Sequence, residues 1–266
     1  MKKVFWSFME TSIFSSKALK RTYLGYLNRV AVKKKRMFLL NKYFQQGNVL
    51  SGPFKGLKYS SLVSNGSSLL PKLVGTYEKE LHPIIDQIRN TGYSLIIDIG
   101  SAEGYYAVGL AVLKKDAKVI AFDISENAQK NCKEMAGING VSDRLQVFGE
   151  CNKQTMVSFF DQNNGLIISD CEGFELELFD EDLVEKLKRF DFLIETHDCF
   201  NPIISSSLKG VFSKTHEVLS IKSNSDSYKV KNYLIPFELK FSSLDKFLIV
   251  SEERIGVTEW LFCKSR

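Results

Sequence analysis

The spacing of apolar residues changes character near residue 95. Before that point, Phe5, Met9 and Ile13 fall on one helical face, and Tyr23 and Leu27 continue the spacing. This predicts an arm over about residues 1–50 that is helical in pieces. Residues 51–75 mix Ser, Gly and Pro with short apolar stretches and predict a small strand-and-turn cover. A helix carrying Leu81, Ile84, Ile85 and Ile88 comes next, and Asn90-Thr91-Gly92 stops it. From Leu95 onward, short continuous apolar runs rich in β-branched residues take over, at 95–99, 119–122, 145–149, 165–169 and 190–195. Such runs read as strands buried on both faces. Helical patterns at 105–113, 126–137, about 153–161, 175–189 and about 203–213 separate them. A strand at 216–222, a polar and then mixed segment at 223–255 that reads as an insertion or lid, and a closing strand at 257–263 complete the chain. The alternation predicts an α/β domain over 76–266: a doubly wound, mostly parallel, Rossmann-like sheet with right-handed crossovers.

In an open sheet of this kind, ligands bind outside the carboxyl ends of the strands. The polar residues expected there are Asp98, Gly100, Ser101, Glu103 and Gly104 after the first strand, and Asp123 after the second. Glu150 follows the third strand, Asp170 and Glu172 the fourth, and Glu195, His197 and Asp198 the fifth. Buried carboxylates without partners are costly, so this convergence calls for a cationic cofactor, a metal ion or a role in proton transfer.

The loop Asp98-Ile-Gly100-Ser-Ala-Glu103-Gly104 joins a strand to a helix, and Asp123 ends the next strand, where an acid would grip a ribose. The loop has two glycines rather than the three of a dinucleotide fingerprint, and it carries acids that would repel a pyrophosphate. A cationic, amine-bearing nucleoside fits better, which points to S-adenosylmethionine.

Charge divides the chain. Residues 1–50 hold eleven Lys and Arg against one Glu, so the arm carries +10 and residues 51–266 sum to −5 within the overall +5. Lys33-Lys34-Lys35-Arg36 is a basic cluster, read either as a solvated face or as a contact with an anionic membrane or polyanion. An acidic body argues against a broad nucleic-acid footprint. Five cysteines without a CxxC pair suit a reducing cytosol. With neither a membrane-spanning run nor a secretory leader pattern, the expectation is a cytoplasmic protein, with the arm able to bring it to the inner face of a membrane.

The fourth strand end carries Ser169-Asp170-Cys171-Glu172. It lacks the Asn/Asp-Pro-Pro-Tyr/Phe run of amino-methylating enzymes and the Pro-Cys nucleophile of cytosine-C5 enzymes. Acids beside Cys171 would raise its thiol pKa, so Cys171 reads as packing.

Gly75-Thr-Tyr-Glu78, Asp98-Ile-Gly-Ser-Ala-Glu-Gly-Tyr-Tyr106, Asp170-Cys-Glu-Gly-Phe-Glu175 and Ile194-Glu-Thr-His197 together resemble the FkbM family of class I S-adenosylmethionine-dependent methyltransferases. The likeness covers about residues 71–200. Ser101-Ala102 stands where that family usually has Ala-Asn. The resemblance implies a seven-stranded sheet with a reversed last strand, O-methylation of a sugar or other small-molecule hydroxyl, and Glu78 facing the amino-acid end of the cofactor. An acceptor hydroxyl needs a proton acceptor. His197 is the first candidate because imidazole titrates near neutral pH, with Asp170 and Glu172 as alternatives. Asp170, Glu172, His197 and Asp198 could also hold Mg²⁺. An RNA or protein methyltransferase, and a non-catalytic nucleoside-binding scaffold, remain as alternatives.

Overall fold

A computed structural model describes residues 17–159, 164–235, 241–254, 256 and 258–266. The chain divides into two compact units, Met1–Gln45 and Gln46–Arg266. In the first unit, α1 (Lys17–Tyr43) is one continuous 27-residue helix that includes Tyr23 and Leu27. It has no proline, and the helix-favouring Lys, Arg, Leu and Ala around its single Gly25 keep it unbroken. Phe5, Met9 and Ile13 lie outside the described residues.

In the second unit, residues 46–68 form turns around an isolated bridge between Asn48 and Lys58 rather than strands. Two helices follow, α2 (Leu69–Val74) and α3 (His82–Asn90). The α/β alternation then runs β1 (Leu95–Ile99), α4 (Tyr105–Leu113), β2 (Lys118–Phe122), α5 (Glu126–Ile138), β3 (Leu145–Phe148), α6 (Lys153–Val157) and β4 (Gly165–Ser169). It continues through α7 (Glu175–Leu178), α8 (Glu181–Lys186), β5 (Phe190–Thr196), α9 (Ile204–Phe212) and β6 (His216–Lys222). The segment read as an insertion contains two helices, α10 (Asp226–Asn232) and α11 (Ser243–Val250), before β7 (Glu259–Ser265).

The sheet order is β3-β2-β1-β4-β5-β7-β6. The first five strands are parallel, and β7 runs antiparallel between β5 and β6. This is the doubly wound, Rossmann-like arrangement with a reversed last strand that was expected. The three central strands β1, β4 and β5 are buried at every position, as their largely apolar runs require, and the burial takes in the polar Asp98 of β1 and Asp191, Glu195 and Thr196 of β5. One face buries Ile97, Ile167, Phe192 and Ile194 with Leu183, Leu208 and Phe212 from the covering helices.

One predicted helix, 175–189, is two. Asp180 interrupts it and caps α8, its side chain accepting a hydrogen bond from the backbone N–H of Leu183. The chain order reverses between β1 and β4, which start crossovers to opposite sides, so their carboxyl ends open the crevice in which ligands of such sheets lie. Among the described residues, no helix is long and apolar enough to cross a membrane.

Candidate functional site

The loop after β1 is held against the end of β4. Gly100 has φ +80°, and a β-carbon there would stand 1.9 Å from the Asp170 carbonyl oxygen. The backbone N–H of Asp170 donates to the Ile99 carbonyl at 2.9 Å. Gly104 opens α4 at φ +100°, where a side chain would meet Val108 and Cys132. Both glycines therefore have packing reasons, and the one at 100 lets the loop and Asp170 lie side by side.

Asp123 lies where the ribose-gripping acid was expected. Its carboxylate accepts from the backbone N–H of Ala102 at 2.8 Å and of Ser125 at 2.8 Å, tying the tip of β2 to the loop. Each oxygen keeps lone pairs for further donors. Asp98 and Ser101 are buried in the same place, and Oδ2 of Asp98 and Oγ of Ser101 have no hydrogen-bond partner. Burial pushes the Asp98 carboxyl up to about 7. Glu150 is exposed at the end of β3.

Glu103 does not face this crevice. Its carboxylate takes Lys72 Nζ at 2.6 Å, the Ser64 hydroxyl at 2.8 Å and the Asn65 backbone N–H at 2.9 Å, with the Tyr59 hydroxyl at 3.3 Å. It pins residues 59–72 to the loop instead of binding a ligand, which corrects the expectation. Glu78 is likewise committed. It pairs with Arg254 and accepts from the Tyr106 hydroxyl. The same guanidinium pairs with Glu195, and its Nε donates to Glu252 at 2.9 Å. Lys229, fully buried, meets Glu252 at 2.5 Å. Part of the acid convergence is thus answered by the chain's own cations. Arg254 and Lys229 come from a segment with no motif, so sequence reasoning had no signal for them. Burial pushes Glu78 up to about 7, with Arg254 opposing and Glu195 and Glu252 adding to the rise.

At the ends of β4 and β5 a second group forms. His197 is 6% exposed, and its Nδ1 stands 2.5 Å from Oε1 of the fully buried Glu175. Its Nε2 faces Oδ1 of Asp170 at 3.4 Å and Oε2 of Glu172 at 3.6 Å. Asp170 Oδ1 is buried without a hydrogen-bond partner. Burial raises the Asp170 carboxyl well above its ordinary range, and the charges of Glu195, Glu78 and Glu172 add to this. Burial alone would lower the His197 imidazole, but the bond to Glu175 and the surrounding carboxylates outweigh it and raise it.

Asp198, expected in the cation-binding set, is turned away: its carboxylate accepts from the backbone N–H and hydroxyl of Ser205 near the start of α9. Glu175 closes the Asp170-Cys-Glu-Gly-Phe-Glu175 run, and its spacing after Asp170 and Glu172 is the signal in the sequence that points to it. Cys171 is half-buried, and burial with Glu175 and Asp170 nearby pushes its thiol up to about 12, which suits packing and not nucleophilic attack. His216 is structural in its contacts: it is buried, with Nε2 at 2.9 Å from the Phe190 carbonyl oxygen.

Phe200 stacks near the His197 ring, with centroids 5.8 Å apart and planes 22° from parallel. Phe174, Phe200 and Ile203 are exposed apolar side chains of the same two strand-end loops.

No protein-family model matches the sequence, and no curated protein does. Solved structures of similar fold include an S-adenosylmethionine-dependent methyltransferase from Geobacter sulfurreducens in complex with S-adenosyl-L-homocysteine. It is 15% identical, with 71% of this chain and 91% of that one covered at TM-score 0.44. An rRNA methylase from Streptococcus thermophilus is 14% identical, with 70% and 97% covered at TM-score 0.44. A putative O-methyltransferase from Klebsiella pneumoniae is 8% identical, with 72% and 81% covered at TM-score 0.46. Likeness at this level bears on neither activity nor substrate.

Proposed function

We propose that this protein is an S-adenosylmethionine-dependent methyltransferase that transfers a methyl group to a hydroxyl of a glycan or related small molecule. The observation that carries the reading is the apposition of two half-sites across Gly100. On one side, Asp123 and the Asp98–Gly104 loop form an acidic nucleoside cradle. On the other, Asp170, Glu172 and His197 gather proton-accepting groups at the next strand ends.

In this reading, Asp123 accepts hydrogen bonds from the ribose hydroxyls. The acidic surroundings of Asp98 favour the cofactor's positive charge over a pyrophosphate. The acceptor hydroxyl lies against the Asp170–Glu172–His197 group, and its proton leaves there as oxygen takes the methyl carbon and the C–S electron pair stays on sulfur. Positioning does much of this work. The exposed Phe174 and Phe200 rings offer an apolar platform for the C–H face of a sugar or a flat acceptor.

Calorimetric titration with S-adenosylmethionine, with NAD⁺ as the control, tests the cofactor. Saturable binding of the former alone is expected, and binding of NAD⁺ alone would sink the reading. Transfer of labelled methyl to a panel of hydroxylated acceptors, with RNA and protein as competing classes, tests the acceptor.

A further inference from the structure

We propose that Asp170, Glu172 and His197 bind one divalent transition-metal cation, with Glu175 fixing the imidazole from behind. Three observations converge. One ligand atom from each of the three side chains lies within 4.8 Å of the other two. The two distances from His197 Nε2, 3.4 Å to Asp170 Oδ1 and 3.6 Å to Glu172 Oε2, are too long for good hydrogen bonds. They are close to the spacing set by a shared ion: ligands about 2.1 Å from one centre stand about 3.4 Å apart in a tetrahedron and about 3.0 Å apart at neighbouring octahedral corners.

The second observation is that the atoms are otherwise unused. His197 is more than nine-tenths buried, and its Nε2 has only these two carboxylates before it. The facing Oδ1 of Asp170 is a buried oxygen with no hydrogen-bond partner. A buried, unpaired polar atom is expensive, and Asp170 Oδ1 is one, facing the imidazole Nε2 of His197.

The third is Glu175. A histidine that ligates a metal usually donates its other ring N–H to a carboxylate, which fixes tautomer and orientation. Nδ1 of His197 has such a partner in Glu175 Oε1, which also accepts from the Gly173 backbone N–H at 3.2 Å. One imidazole with two carboxylates suits Mn²⁺, Fe²⁺ or Zn²⁺ better than Mg²⁺, which prefers an all-oxygen shell with several waters. The cation's part in catalysis rests on the methyl-transfer reading: with the three side chains on the ion, it would hold the acceptor oxygen and lower its pKa, and the proton would leave to water in place of those side chains.

The test uses the full-length protein, stripped with chelator and titrated with MnCl₂ while free Mn²⁺ is followed by electron paramagnetic resonance. One saturable Mn²⁺ per chain is expected. Glu172→Gln removes an exposed ligand without disturbing the core and should weaken binding about tenfold or more. His197→Gln should do the same and abolish the ¹⁴N coupling seen by pulsed resonance. No saturable site, or one that both variants leave unchanged, overturns the proposal. S-adenosylmethionine is titrated separately. If Mn²⁺ binds as expected and S-adenosylmethionine does not, the cation site stands and the transferase reading fails.

Discussion

Nδ1 of His197 is held 2.5 Å from Oε1 of Glu175, a carboxylate with no exposed surface, at the point where β5 ends and α7 begins. That contact leaves Nε2 as the only ring nitrogen able to meet a ligand. Glu175→Gln keeps the shape and removes the charge. Turnover and Mn²⁺ affinity should each fall about 10- to 100-fold, while S-adenosylmethionine affinity stays unchanged. Unaltered kinetics would show that the imidazole needs no such support.

Asp123→Ala should weaken S-adenosylmethionine binding about tenfold or more, the scale of a lost charge-assisted hydrogen bond. Because Asp123 also holds Ala102 and Ser125 backbone groups, a modest loss of stability, about 1–2 kcal/mol, should accompany it. Mn²⁺ binding should be untouched. Calorimetry and urea unfolding read the two effects apart.

Arg254→Met should be severe. It would leave Glu78, Glu195 and Glu252 close together without their shared guanidinium, Glu252 alone keeping a paired cation, Lys229, among the described ion pairs. Breaking a buried pair by removing one partner costs about 3–5 kcal/mol, readable in equilibrium unfolding. A loss below about 1 kcal/mol would mean that water screens this network.

Acid should release the cover over the loop. Burial would raise the Glu103 carboxyl, but Lys72 outweighs it and holds it below its ordinary value of 4.5. A carboxyl depressed in the folded state stabilises the fold above its unfolded pKa, and that contribution disappears as pH falls through the folded value. Stability should therefore drop below about pH 4.5. Lys72→Met should flatten that part of the profile, and an unchanged profile would assign the acid sensitivity elsewhere.

Gly100→Ala should prevent normal folding or cost more than about 3 kcal/mol. The backbone sits at φ +80° and a methyl would overlap the Asp170 carbonyl. A circular-dichroism melt suffices to check it.

The apolar runs by themselves determined the sheet. A strand buried on both faces is mostly apolar, so β1, β4 and β5 were legible from their apolar runs, although buried Asp98 sits in β1 and Asp191 and Glu195 in β5. The glycine loop and Asp123 were legible too, because a turn at positive φ and an acid at a strand tip are local facts. What only the tertiary structure decided is which acids are free. Glu103 and Glu78 looked like ligands of a cofactor, yet Lys72 and Arg254, 31 and 176 positions away, consume them. Asp198 looked like a metal ligand, yet Ser205 takes both its oxygens. Conversely, His197, Asp170 and Glu172 become one group only where β4 and β5 end together. Charge pairing in a folded chain depends on distance in space and on exclusion of water, and neither quantity is written in the order of the residues.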